Sequence, residues 1–158
     1  MIQIIQLTML QRIQTIYLIL AGICTSLTLY FSFATYSISG KLVSFTSQGF
    51  SPFGKNIENF PLYIVIIISS ILIALSIISF KKRKRQIFLN TANYMVVLAL
   101  IVLIFINFKN FEPTQDENIE ISYGVGMFLP IVTLVLLFMA NRAVKKDEEL
   151  IKSMDRIR

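Results

Sequence analysis

The sequence predicts an all-α integral membrane protein: four transmembrane helices in a bundle, both termini cytoplasmic, with an amphipathic cytoplasmic C-terminal helix. Three observations carry this. The 158-residue chain is 55% hydrophobic and only 15% charged, with a mean hydropathy of +0.70, more apolar than a soluble domain sustains. It holds four charge-free runs, at about 13–36, 61–80, 87–108 and 124–141, close to the roughly 20 helical residues that cross a hydrocarbon core of about 30 Å. The cations also partition: if the runs alternate in direction, 12 of the 15 basic residues share one side with four carboxylates, and three share the other with five. Short basic loops are retained in the cytoplasm, so the basic side, with both termini, is inside.

The first run, 13–36, contains the single cysteine, Cys24, and a small-xxx-small step, Gly22 and Ser26, that lets helices approach closely. Ser32 and Ala34 have the spacing of a signal-peptidase site. The apolar run exceeds the usual h-region of about 7–15 residues, so this helix is expected to stay. The external segment 37–60 carries partial alternation from Ser37 to Phe45, and Ser39-Gly40-Lys41 suits a short hairpin turn. It is expected as a structured loop over the bundle with Phe45, Phe50 and Phe53 at the headgroup interface.

The second run, 61–80, brings Ser69, Ser70, Ser76 and Ser79 into the bilayer. Lys81 to Arg85 resembles a nucleic-acid patch by composition. Set between two membrane helices, it reads instead as a hairpin turn at the inner headgroup layer, and no nucleic-acid partner is expected. In the third run, 87–108, Asn90 and Asn93 are placed to hydrogen-bond across helices. The external segment from Lys109 to Tyr123 is acidic and lacks the ligand spacing and central glycine of an EF-hand, so it reads as a solvated loop. The fourth run, 124–141, holds Pro130, expected to bend the helix. Residues 1–141 thus form the transmembrane domain. The tail, 142–158, has apolar residues at helical spacing and no Pro or Gly, so the fourth helix is expected to run on into it.

Chemistry is restricted by what is missing. The chain has no histidine and one cysteine, which removes His-based metal and haem sites, Ser/His/Asp and Cys/His nucleophiles and internal disulfide exchange. No Asp, Glu, Lys or Arg lies within the four runs, where proton relays and carriers place them. The expectation is a non-enzymatic accessory or assembly subunit of an inner-membrane complex, with no cofactor and no catalytic or metal-binding residue. Its expected partners are membrane lipids, anionic headgroups included, and other inner-membrane proteins. The alternative is a small homo-oligomeric transporter or channel lined by Ser, Thr and Asn; an enzyme acting on lipid headgroups comes third.

Two stretches carry a resemblance: Met9-Leu10-Gln11-Arg12-Ile13-Gln14-Thr15-Ile16-Tyr17-Leu18, and the end of the chain from Met139-Ala140-Asn141-Arg142-Ala143-Val144-Lys145-Lys146 through Asp155-Arg156-Ile157-Arg158. They resemble the start and finish of an uncharacterised family of small four-helix inner-membrane proteins of Gram-negative bacteria, a domain of unknown function. Members typically begin near Met-x-Gln-Arg-Ile-Gln, so Met1 to Thr8 departs from the pattern and Met9 is a candidate start. The resemblance implies four spans and an internal tail, and no activity. It directs attention to the cytoplasmic end, where Arg12, Asn141, Arg142, Lys145, Lys146, Asp147, Glu148, Leu150, Ile151, Asp155 and Arg156 are expected to form a docking surface. The N-terminal segment and the tail would meet there, the carboxylates pairing with basic neighbours.

Overall fold

The charge-free runs fold as helices, but they share the chain with a sheet. The computed structural model describes residues 2–38, 41–51, 62–110 and 119–155. Among these are four helices: α1 (Ile2–Leu27), α2 (Leu62–Ile78), α3 (Arg83–Asn110) and α4 (Leu129–Asp155). Four strands join them: β1 (Ala34–Ile38), β2 (Lys41–Thr46), β3 (Gly49–Ser51) and β4 (Ile119–Tyr123). The all-α expectation is corrected to a mostly helical fold with a four-stranded antiparallel sheet of order β3-β2-β1-β4. The α3 helix and residues 125–149 around α4 are long and apolar enough to cross a membrane; the apolar parts of α1 (Ile13–Leu27) and α2 are shorter.

Each helix buries one seam at alternating steps of three and four. On α3 it is Gln86, Asn90, Asn93, Val97, Leu100 and Ile104; on α2, Leu62, Ile66, Ser69, Ile73 and Ser76. The α1 seam is Gln14, Leu18, Ala21, Thr25 and Thr28, and the α4 seam is Thr133, Leu137, Ala140, Val144 and Asp147. This spacing holds a seam toward its partners when helices pack nearly antiparallel with a left-handed twist. Each helix packs on the next, α1 on α2, α2 on α3, α3 on α4, and α4 back on α1. Leu18, Ala21, Ile73, Val97, Leu137 and Ala140 form the middle of the bundle.

The outer faces are the reverse of a soluble protein's. Ile16, Ile23, Ile67, Ile71, Met95, Val102, Phe105, Val135 and Phe138 all lie exposed, while amide and hydroxyl side chains lie inside. A monomeric protein in water rarely shows apolar patches above a few hundred Å².

The first run ends as helix at Leu27, and Ala34 to Tyr36 belong to β1. Lack of charge does not separate a helix from a buried strand. The expected hairpin does form between β1 and β2, with Ile38 opposite Lys41; Ser39 and Gly40 lie outside the described residues. Alternation decides the faces: Ala34, Tyr36, Val43 and Phe45 are buried, while Thr35, Ser37, Ser44 and Thr46 lie on the other face. The buried face packs on the end of the bundle, against Leu62, Ile66, Leu100 and Ile104. Phe45, expected at the headgroup interface, is fully buried between Phe33 (ring centroids 5.2 Å apart) and Phe50 (4.5 Å, stacked). Phe53 lies outside the described residues.

The acidic segment is likewise corrected. Residues 111–118 lie outside the described residues, but Ile119 to Tyr123 is β4, paired along the whole of β1 from Ile38↔Ile119 to Ala34↔Tyr123. The chain then passes tightly under the end of α1. Gly124 N–H donates to Phe33 O at 2.9 Å and Gly126 N–H to Ser32 O at 3.0 Å. A Cβ on Gly126 would lie 2.6 Å from Phe31 O, so the close approach requires glycine. Both glycines therefore lie before α4 rather than within it. Pro130 sits in the first turn of α4, where its missing N–H has no partner to lose, so it starts the helix instead of bending it. At the other end α4 continues through the tail to Asp155, as its periodicity predicts.

Candidate functional site

The end of the bundle opposite the sheet gathers the first half of α1, the α2–α3 turn and the last turns of α4. That turn is short, a 3₁₀ segment at Ser79–Lys81 and then Lys82, so Arg83 opens α3 directly beneath the end of α4. Gln14 of α1 donates from Nε2 to Ala143 O of α4 at 3.2 Å. This bond joins the two recognisable ends of the chain.

The candidate docking residues do not share one face. Asp147 continues the buried α4 seam, three residues after Val144, and is fully buried. Its one ion-pair contact among the described residues is Arg83 Nη2 to Oδ2 at 3.7 Å, and neither carboxylate oxygen has a hydrogen bond. It belongs to the packing between α3 and α4, not to an exposed surface. Taking a carboxylate out of water costs several kcal/mol, so the pair is a constraint on how α4 seats on α3. Arg142, Lys145 and Lys146 are exposed, and Asn141 and Glu148 are partly buried. Arg156 lies outside the described residues, and of the side chains of Arg12, Leu150, Ile151 and Asp155 nothing is described.

The exposed set forms a pocket of about 550 Å³ on the outer face of α4, lined by Phe138, Asn141, Arg142, Lys145, Lys146 and Glu149. These positions recur at alternating steps of three and one, which puts them on the side of the helix away from the Ala140–Val144–Asp147 seam. Among the described residues no carboxylate lies within ion-pair distance of Arg142, Lys145 or Lys146. Sequence reasoning picked out these cations but missed Phe138 and Glu149, whose place on the same helical face was readable from their spacing.

Further polar pairs join the helices, those of Ser76 with Asn90 and Thr25 with Thr133 being buried. Ser76 Oγ donates to Asn90 Oδ1 at 2.5 Å, tying α2 to α3. Asn141 Nδ2 donates to Thr91 Oγ1 at 3.5 Å, and Thr25 Oγ1 to Thr133 Oγ1 at 3.4 Å. The expected cross-helix role of Asn90 is met. Asn93, 1% exposed, has no partner at either end of its amide. Gln86 is also buried and was not singled out in the sequence, although it lies four residues before Asn90 on the same seam. No group of three or more His, Cys, Asp or Glu that could hold a metal occurs among the described residues.

Residues 10–157 match a family model described as Domain of unknown function (DUF4293). No curated protein and no solved structure matches the chain.

Proposed function

The chain belongs to that family of unknown function, and from this premise we propose that it is a multi-pass protein of a bacterial inner membrane. All four helices cross, and both termini are cytoplasmic. The carrying observation is the apolar exterior of the bundle: isoleucine, leucine and phenylalanine cover its outside, and Asn, Gln, Ser and Thr share its seams with apolar residues. In lipid the outer faces need no water, and interhelical hydrogen bonds and small residues supply the packing. Arg83 to Arg85, Arg142, Lys145 and Lys146 lie at the end opposite the sheet, which suits the cytoplasmic leaflet.

Within that membrane the protein acts as a non-enzymatic accessory or assembly subunit. It contacts neighbouring membrane proteins through the apolar outer faces of its helices and through its C-terminal tail. The test tags the C-terminus at native expression level, washes membranes with alkaline carbonate, and weighs the particle extracted in mild detergent. A carbonate-resistant protein in a particle with other membrane proteins is expected; release by carbonate overturns the membrane reading. A second reading, a homo-oligomeric transporter or channel, is favoured by the buried Thr25–Thr133 and Ser76–Asn90 pairs. A pure homo-oligomer that passes ions or small solutes in vesicles selects it.

A further inference from the structure

We propose that the outer face of α4 is a binding site for one anionic phospholipid, with Arg142, Lys145 and Lys146 on its phosphate and the helix surface beneath them on its acyl chain. This rests on the membrane reading above and deepens it.

Two features of the same face converge. The pocket at residues 138–149 offers three cations and the Asn141 amide, with Phe138 at its membrane-facing edge. Arginine binds phosphate oxygens with a planar fork, and lysine supplies a mobile point charge whose stem lies along apolar surface. The face then continues toward the sheet through Val135, Ile131 and Phe128, each about half exposed. These residues and Phe138 recur at steps of three and four, so they form one apolar track. From Phe128 to Phe138 the helix rises about 15 Å, half of a hydrocarbon core of about 30 Å. A track one leaflet long ending in a cationic pocket matches a phospholipid's chain and headgroup. A soluble phosphate would use only the pocket and leave the track uncovered.

Glu149 lines the same pocket and opposes an anion. Its position at the far rim, seven residues beyond Arg142, sets how far the headgroup extends and disfavours multiply charged ones. The site therefore takes a phosphodiester with one charge near Arg142.

The test uses the full chain. Alkaline carbonate extraction comes first, because release there overturns the membrane reading itself. Purified protein in mild detergent is then titrated with phosphatidylglycerol or phosphatidylcholine of identical acyl chains, and bound lipid is counted by native mass spectrometry. Phosphatidylglycerol is expected to bind at least tenfold tighter, and glycerol phosphate alone is expected not to displace it. Each of Arg142→Gln, Lys145→Gln and Lys146→Gln should weaken it about fivefold, the triple variant about a hundredfold. Glu149→Gln should tighten it severalfold. Lys82→Gln with Lys84→Gln removes two exposed cations from the same end but outside the pocket, and should change binding less than twofold. Equal affinity for the two lipids, displacement by glycerol phosphate, or a loss in the Lys82/Lys84 variant as large as in the triple variant overturns the site while leaving the membrane reading intact.

Discussion

Removing the Arg83 charge should destabilise the bundle far more than removing both partners of its ion pair. Asp147 is fully buried, Arg83 is 23% exposed, and the two are 3.7 Å apart. At an effective dielectric of about 20 that separation gives a gross attraction of about 4 kcal/mol, much of which desolvation of the carboxylate offsets. Arg83→Met removes the attraction and leaves the desolvation cost, so a loss of about 3 kcal/mol follows. Asp147→Asn removes the buried charge and should cost about 1 kcal/mol. Combining Arg83→Met with Asp147→Leu replaces the pair by apolar contact and should return to within about 1 kcal/mol of wild type. The single cysteine provides the assay: Cys24 is partly buried on α1, and its reaction with a thiol-specific fluorogenic dye on heating reports opening of the bundle. In Tm the single arginine variant should fall by about 6–12 °C. If Arg83→Met melts with wild type, or the double variant falls as far as the single, the carboxylate is not held by that arginine and the account of α4 seating is wrong.

Gly126→Ala should lose about 2–3 kcal/mol, because its Cβ meets the Phe31 carbonyl at 2.6 Å. Gly22→Ala, whose Cβ would make an ordinary 3.4 Å contact with Ile73, should be neutral in the same dye assay; equal losses would refute the distinction. Asn93→Val should hold or raise Tm, since it removes an amide that is buried without partners at either end, and a drop above about 4 °C would show that the amide is bonded. Burial, reinforced by the neighbouring Tyr123 phenol, pushes the Tyr36 phenol from 10.0 up to about 12. The folded sheet thus keeps a proton that the unfolded chain releases, so stability is intact below about pH 10 and falls by up to about 2–3 kcal/mol as pH rises through 12. Tyr36→Phe should flatten that part of the pH profile, and an unchanged slope would refute the assignment.

Charge-free length was enough to find the helices, because few features other than a buried or lipid-facing helix keep 18 or more residues free of ions. It could not mark where α1 stops, since Phe33, Ala34 and Tyr36 are as apolar in a strand as in a helix. The β1–β2 hairpin was legible from local alternation and its turn residues. The pairing of β1 with β4 was not, because it joins residues more than 80 positions apart. A local signal did exist: Ile119-Glu120-Ile121-Ser122-Tyr123 alternates strictly, but the carboxylates around it dominated the reading. Asp147 shows the converse. Among Lys145, Lys146, Glu148 and Glu149 it looks like one more surface charge, and only extending the α4 seam from Thr133 through Ala140 and Val144 reveals that it points inward.

The strand order β3-β2-β1-β4 also imposes a schedule on biogenesis. When the ribosome has delivered α1, the β1–β2 hairpin, α2 and α3, the outer edge of β1 still has open backbone groups. They stay open until Ile119 to Tyr123 has been made and can pair with β1. Completion of the sheet therefore waits for the segment just before the last helix, and the glycine crossing under α1 closes in the same step. A nascent chain stalled before β4 would hold three helices and an unfinished ribbon, open to quality-control proteases and to pairing with another chain.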